Sequence, residues 1–416
     1  MKLLLAALSL AALVFGGAGV GTWLVEQRLA TLLPGGLRFE ALSYDPLTGR
    51  LALRQVSGRD AEGREIFRAV EVRATASILE AFAGMVTLRR VQVAAPCLVV
   101  PAAPVSSFLR LPATVRTASV AVDGLVMTSG ALVIEDGARG EPLVVRDFAM
   151  RADHGAFAVE MALYGAPVRI TGQRPLGAPG YAVHVRAVGL DAVAALRDFP
   201  ALTAGAGVTL AGGRADVDAT LFFTDEGMLV SGQARLERVL ARFADRRLSP
   251  FSAAAVILAV DRWDVEAGTG RISRLELRGP RFGVKVQRRV PALLTSLLDR
   301  FADDGVVVRR VRVVDGTLTI DSPDVLVTLH GVNLALQARE TLAGAGFVLT
   351  GRAAVGPGGH VAVEGSLSRD LRAAEGALRA TGVTARGCAI ADTTLALPVE
   401  PTLHALVAAL AESCAL

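Results

Sequence analysis

The chain has 416 residues, of which 52% are hydrophobic and only 5% aromatic, so its core must consist mainly of valine, leucine and alanine. The formal net charge of +4 is small for this length, and arginines alternate singly with valines and leucines. That distribution is typical of the solvent side of strands and argues against binding to nucleic acid. The length predicts a short anchor followed by one long or two medium β-rich units.

The chain begins with an uncharged segment. No residue from Leu3 to Val25 is charged, and as a helix this segment would rise about 34 Å, enough to cross a bilayer core of about 30 Å. The predicted anchor residues are Leu3, Leu10, Val14, Val20, Trp23 and Val25. Lys2 places the N-terminus in the cytoplasm. The alternative is a cleaved signal peptide, because Gly16 to Gly21 supply small residues for cleavage. With either outcome, the rest of the chain is exported.

After the anchor, most of the sequence consists of short period-two runs separated by turns. Leu51 and Leu53 form one such run, and Val70–Ala74 forms the next, beyond a turn at Asp60–Gly63. The predicted short helices are Ser77–Phe82, Asp191–Phe199, Leu236–Ala244, Pro291–Ala302 and Pro401–Glu412. The predicted fold class is therefore mainly β with a few short helices.

The sequence also contains an internal repeat. Six of fifteen positions are identical when Val86–Val100 is laid over Val306–Ile320 at an offset of 220. A looser third copy lies in Ala118–Asp136, where Gly130–Ile134 resembles Gly316–Ile320. The predicted organisation is an anchor at 1–30, a first βαββ unit at 31–110, a central β-rich region at 111–290, and a second unit with a C-terminal capping helix at 291–416.

No combination of residues in the sequence predicts catalysis. The five histidines lie far apart, outside any zinc-ligand spacing, and the glycine cluster at Gly356–His360 is typical of a turn between strands. Three cysteines are too few for a disulfide framework, although Cys388 and Cys414 could form one bridge instead of remaining buried thiols. We therefore predict a protein that is not an enzyme, with no cofactor and no catalytic, cofactor-binding or metal-ligating residue.

The chain resembles the AsmA-like family of TamB-related, inner-membrane-anchored periplasmic proteins over nearly its whole length. The resemblance rests on the N-terminal segment and on alternating strands with characteristic turns. The segments that carry it are Leu47–Leu53, Val70–Ala74, Val86–Val100 with its central Pro96, Ile272–Arg281 and Val311–Ile320.

This resemblance implies an elongated, curved, repeat-like antiparallel β-sheet that forms a groove with an apolar inner face for lipid acyl chains. Arg90, Arg310 and Arg312 would lie at the rim or outside. The lipid-facing residues would be Val91, Val93, Leu98, Val311, Val313, Leu318 and Ile320. A β core closed by two layers, without a ligand, is the alternative explanation of the same residues.

The expected location is the bacterial inner membrane, with a single N-terminal span and the body in the periplasm. The expected partners are membrane lipids, through their phospholipid acyl chains, and other envelope proteins, but not nucleic acid. The expected function is lipid handling in envelope maintenance, intermembrane lipid transport or outer membrane biogenesis. The alternative function is a non-enzymatic scaffold that assembles outer-membrane or envelope proteins through exposed strand edges.

Overall fold

A computed structural model describes most of the chain between residues 36 and 398. The described ranges are 36–45, 48–76, 86–100, 120–135, 142–153, 155–173, 180–198, 207–224, 227–285, 305–321, 326–341, 344–368, 374–385, 388–389 and 393–398. Nearly all of these residues are in strands, and the described part contains one short helix. The predicted mainly β, repeat-like fold class is confirmed.

The chain forms two compact units, which divide within two strands. Unit 1 comprises 1–163 and 167–184, and unit 2 comprises 164–166 and 185–416. The strands up to the boundary are β1 (Leu37–Arg38), β2 (Ala41–Asp45), β3 (Arg50–Arg59), β4 (Glu65–Thr75), β5 (Val86–Ala94), β6 (Cys97–Val100), β7 (Val120–Ile134), β8 (Leu143–Asp153), β9 (Ala156–Leu163), β10 (Ala166–Gln173) and β11 (Tyr181–Asp191).

The remaining elements belong to unit 2. They are α1 (Ala192–Asp198), β12 (Val208–Thr224), β13 (Gly227–Phe243), β14 (Phe251–Asp264), β15 (Thr269–Arg278), β16 (Arg281–Lys285), β17 (Val306–Val308), β18 (Arg310–Asp321), β19 (Leu326–Thr341), β20 (Gly344–Val355), β21 (Gly359–Ser368), β22 (Ala374–Thr381), β23 (Thr384–Ala385), β24 (Cys388–Ala389) and β25 (Thr393–Pro398).

Unit 1 contains a sheet with a buried apolar face. Strand alternation places Leu53 opposite Val72, and Val72 opposite Val93 on the next strand. These three residues belong to one cluster of buried side chains. The Tyr44 hydroxyl donates a hydrogen bond to the Ala76 carbonyl oxygen at 3.3 Å, beside this cluster. The alternation predicted from the sequence therefore separates core residues from solvent-facing residues in unit 1.

Unit 1 contains a parallel pairing next to a proline bulge. Both β5 and β6 pair in parallel with β7, and the chain between β5 and β6 is bulged at Ala95 and Pro96. The Ala95 amide donates to the Thr128 carbonyl at 3.0 Å, and the Ala131 amide donates to the Pro96 carbonyl at 2.7 Å. Because proline has no amide hydrogen to donate, a bulge is where a paired strand tolerates it.

Unit 2 repeats this arrangement. Strands β15 and β16 pair in parallel with β18, and a bulge at Gly279 and Pro280 separates them. The Gly279 amide donates to the Val314 carbonyl at 2.8 Å, and the Thr317 amide donates to the Pro280 carbonyl at 2.7 Å. Each hydrogen bond matches one in unit 1, so the repeat is a strand, a proline bulge, a crossover and a parallel strand.

The structural repeat has a different offset from the one that sequence identity predicts. Pro96 corresponds to Pro280, and Gly130 corresponds to Gly316, which gives spacings of 184 and 186 residues. The offset of 220 instead lays β5, which precedes a crossover, over β18, which follows one. The looser resemblance around Gly130 is therefore the structurally equivalent one.

Two details of the predicted fold class need correction. The two parallel pairings show that the sheet is not purely antiparallel. Leu236–Ala244 is also not a helix, because its residues up to Phe243 belong to β13. A bulge at Arg238, whose φ is 50°, adds one residue between Leu236 and Val239, so their three-residue spacing imitates that of a helix.

The prediction of a helix at Asp191–Phe199 is confirmed by α1. Asp191 caps this helix, since its carboxylate accepts hydrogen bonds from the Val193 and Ala194 amides, each at 3.0 Å. The turns predicted at Asp60–Gly63 and before Gly359 are also present.

Several predictions lie outside the described residues. They are the Leu3–Val25 anchor, the helices at Ser77–Phe82, Pro291–Ala302 and Pro401–Glu412, and the disulfide that would involve Cys414. Within the described ranges, no helix is both long enough and apolar enough to cross a bilayer.

The bulge in unit 1 leads to a first prediction. A Cβ added to Gly130 would lie 2.8 Å from Pro96 Cγ and 3.0 Å from Phe148 Cδ1, both of which belong to rigid side chains. We expect Gly130→Ala to lower the free energy of unfolding of unit 1 by about 1–3 kcal/mol, because the site is overpacked. Urea denaturation of the full chain, with hydrogen exchange of β6 and β7, measures this loss.

Gly212→Ala is the matched control for this prediction. Its added Cβ would lie 3.5 Å from Leu240 Cβ, which is an ordinary contact. Equal stability of the two variants would contradict the steric explanation.

Candidate functional site

Cross-strand pairing in unit 2 aligns apolar residues into two continuous rows. In both rows, residues on neighbouring strands lie directly opposite one another. The first row is Val217, Ala234, Leu258, Leu275, Val311, Leu336 and Leu349. The second row is Ala215, Leu236, Val256, Leu277, Val313, Leu334, Gly351, Val363 and Leu378. We call these two rows the apolar face of unit 2.

The two rows lie on the same side of the sheet. On each strand that carries both, the two members are two residues apart, as Leu275 and Leu277 are on β15, and such residues point to the same face. The second row crosses nine strands, which corresponds to about 38 Å at the usual strand spacing. The apolar face is therefore long, two residues wide, and free of polar side chains.

The apolar face is only partly buried. Ala215 is buried, whereas the other members of both rows are of intermediate exposure. The corresponding face of unit 1 differs, because Val91 and Val93 are only 5% and 4% exposed within their cluster. Among the described residues, the two rows of unit 2 are therefore more accessible than Val91 and Val93 of unit 1.

Charged residues lie on the opposite side of the same strands. Between the two rows, the chain places Arg235 on β13, Glu276 on β15 and Arg312 on β18. Glu276 lies directly opposite Arg312, and Asp216 lies opposite Arg235. The sheet of unit 2 is therefore two-sided, with an aliphatic face and a charged face.

Glu276 is the one buried charged residue among those described, with 2% of its surface exposed. Its carboxylate is held between Arg274 and Arg278. Arg278 Nε donates to Glu276 Oε1 at 2.6 Å and Arg274 Nε donates to Oε2 at 3.1 Å, with a further short bond from Arg274 Nη2. Both arginine side chains are almost half exposed, so they cover the carboxylate from the solvent side.

This arrangement lowers the pKa of Glu276. Burial alone raises the pKa of the carboxyl group, but the hydrogen bonds and positive charges of Arg274 and Arg278 outweigh that effect. The carboxylate therefore stays ionised on the charged face at neutral pH.

The structure places the predicted lipid-facing residues in different surroundings. Val311 and Val313 belong to the apolar face. Leu318 is partly buried, while Ile320 is 3% exposed in a cluster with Leu248 and Val284. Val91 and Val93 are core residues of unit 1, and Leu98 is partly buried opposite Phe67 and Leu132. Arg90, Arg310 and Arg312 are exposed.

Most residues of the apolar face were missed by sequence reasoning. Leu258, Leu336 and Leu349 each lie in an alternating run, which is the signal that could have identified them. That signal shows which residues share a face of one strand but not which strands are neighbours, so the rows become visible only from the register.

Comparison with protein-family models, curated proteins and solved structures finds no match to this chain. Among the described residues, no group of histidine, cysteine, aspartate and glutamate side chains is arranged to hold a metal ion.

Replacing the buried carboxylate gives a second prediction. We expect Glu276→Gln to lower the free energy of unfolding by about 1–2 kcal/mol at pH 7, because charge-assisted hydrogen bonds are lost while the arginines remain half exposed. A lowered folded-state pKa stabilises the fold above the ordinary value of about 4.3, and the contribution disappears as the pH falls through the folded-state pKa. Denaturant titrations at several pH values should therefore show the two proteins converging below about pH 4.3.

Glu237→Gln is the matched control, since Glu237 is 43% exposed and forms an ion pair with one arginine, Arg235, at 2.8 Å. Its stability should stay close to that of the wild type. A wild-type advantage over Glu276→Gln that persists undiminished in acid would show that the charge is not the cause.

Proposed function

We propose that the apolar face of unit 2 holds the acyl chains of membrane lipids, and that the protein handles lipids in the bacterial cell envelope. The observation that supports this proposal most directly is the pair of aliphatic rows, which are continuous across strands and only partly buried.

Aliphatic chains match the chemistry of this surface. Neither row carries a hydroxyl, amide or charged side chain, so the surface can bind through apolar contact but has no side-chain hydrogen bonds to offer. An amphipathic sheet normally buries its apolar face against a second layer. Acyl chains would supply that layer, and their removal from water provides the driving force.

The shape of the surface also favours an extended, flexible ligand over a compact one. A strip about 38 Å long and two residues wide exceeds the scattered apolar exposure that is normal for a soluble protein. A compact ligand would cover only a few strands and would leave most of the strip in contact with water.

The cellular location in this proposal is supported by the sequence. The uncharged segment Leu3–Val25 suits an inner-membrane anchor, and the resemblance to the AsmA-like family suits a periplasmic body. A scaffold for envelope proteins is the competing function, and the test below separates it from lipid handling.

Photocrosslinking in growing cells tests the proposal with the full chain. The photoreactive amino acid p-benzoylphenylalanine is placed at Leu349 on the apolar face, or at its neighbour Thr350, which is exposed on the other face of β20. Mass spectrometry of the β20 peptide then identifies the adducts. We expect phospholipid adducts at position 349 and few or none at position 350.

Matched substitutions extend this third prediction. Val363→Asp introduces a carboxylate into the second row and should greatly reduce the lipid adduct at position 349, because an ionised group resists leaving water. Ala362→Asp adds the same charge between Arg352 and Arg379 on the other face and should leave the adduct intact. Protein adducts at position 349 would favour the scaffold, and the absence of any adduct would reject an acyl-chain surface.

A further inference from the structure

A cleft lies elsewhere in unit 2, against β16, β18 and the loop that precedes β14. Most of its lining surface is apolar, and Pro250, Phe282, Val284 and Leu326 are among the residues that line it. Its volume is about 460 Å³, which falls within the range of about 300–1,000 Å³ typical of small-molecule sites. Three cations line it, namely Arg246, Arg281 and Lys285. The hydroxyl-bearing residues Ser249, Thr317 and Thr319 line it as well.

Gly283 lines this cleft between Thr319 and Ser249. Gly283 lies opposite Thr319 on β18, and on its other side the Ser249 amide donates to the Gly283 carbonyl at 2.8 Å. A Cβ at Gly283 would come within 2.8 Å of the Ser249 Oγ. The Ser249 side chain therefore packs over Gly283, and its hydroxyl donates a hydrogen bond to the Pro250 carbonyl at 3.4 Å.

Two of the cations lie on either side of Gly283 along β16. Arg281 and Lys285 lie two residues before and two residues after Gly283, so all three share one face, with about 7 Å between successive positions. Thr317 lies opposite Arg281. Positive charge therefore lies on both sides of Gly283 along β16, and Thr319 and Ser249 lie across its two edges.

The positive charge of the cleft is not neutralised within the described part of the chain. None of Arg246, Arg281 and Lys285 forms an ion pair there, whereas the neighbouring Arg247 is paired with Asp245 at 2.7 Å. Asp321, opposite Lys285, is the single carboxylate that lines the cleft. Three cations against one carboxylate leave a local excess of positive charge.

We propose that this cleft binds a phosphate group, either as a free phosphate or as part of a larger molecule. A tetrahedral anion can accept hydrogen bonds from several directions at once, which suits the guanidinium and ammonium donors of Arg246, Arg281 and Lys285, with Thr317 opposite Arg281. A carboxylate is planar and is satisfied by one guanidinium, so it would leave the other donors unused. This proposal does not depend on lipid binding at the apolar face.

Lys285 provides a direct test, because Lys2 and Lys285 are the only lysines in the chain. The purified full chain is treated with a water-soluble acetylating reagent, and mass spectrometry follows acetylation of Lys285 relative to Lys2. Inorganic phosphate at about ten times its dissociation constant should slow the reaction of Lys285 roughly tenfold, since only the unoccupied protein reacts. Sodium chloride at the same ionic strength should not.

Two variants control this fourth prediction. Arg281→Gln removes a cation of the cleft and should abolish the protection of Lys285, whereas Arg271→Gln removes an exposed arginine outside the cleft and should preserve it. Retained protection in Arg281→Gln would overturn the proposed site.

A short-chain phospholipid, tested beside inorganic phosphate, distinguishes a site for free phosphate from a site for a lipid headgroup. If inorganic phosphate and dihexanoyl phosphatidic acid protect Lys285 equally, the cleft binds the phosphate group alone. Protection by the lipid only would assign the cleft to a phospholipid headgroup. Protection by neither, or equal protection by chloride, would reject the site.

Discussion

The register between neighbouring strands is the constraint on which both faces of unit 2 depend. Because side chains alternate along a strand, a slip of one residue between β15 and β18 would exchange Leu277 for Glu276 or Arg278 in the apolar row. Such a slip would move Arg274, Glu276 and Arg278 together, because all three lie on β15, and would place Glu276 opposite Val311 or Val313 on the aliphatic face. Placing charged groups against aliphatic side chains is costly, so the ion cluster favours the register that keeps the two rows apolar.

The proline bulges are the second feature on which the strand pairing of both units depends. Each bulge lets two successive strands pair with one parallel neighbour, and each places a glycine, Gly130 or Gly316, against the proline ring. In unit 2 the bulge at Pro280 comes directly before β16, whose other edge pairs with the loop at Leu248. The loop, β16 and β18 thus meet around Gly283, so the repeat unit that organises the sheet also builds the cleft.

Sequence reasoning predicted the strand-rich class because alternation between apolar and polar residues is a local signal. The same alternation puts Val311 and Val313 on one side of β18, whereas their lipid-facing role, which the family resemblance implies, stays a prediction. Sequence reasoning was wrong about Leu236–Ala244, where one bulged residue converts strand spacing into helical spacing. It also missed the parallel pairings and the offset of the repeat, because these depend on which strands become neighbours after a crossover. The cleft around Gly283 was missed because Ser249 and Thr319 are far apart in sequence and become neighbours of Gly283 only through strand pairing.

The two candidate sites of unit 2 lie on opposite faces of β18. On β18, Thr317 and Thr319 line the cleft, while Leu318 and Ile320 pack in an apolar cluster with Leu248 and Val284. A phospholipid whose chains lay along the leucine side would have to pass around a strand edge to place its phosphate between Arg281 and Lys285. The simplest physical account is therefore two separate sites, in which apolar burial selects acyl chains on one face and charge selects phosphate on the other.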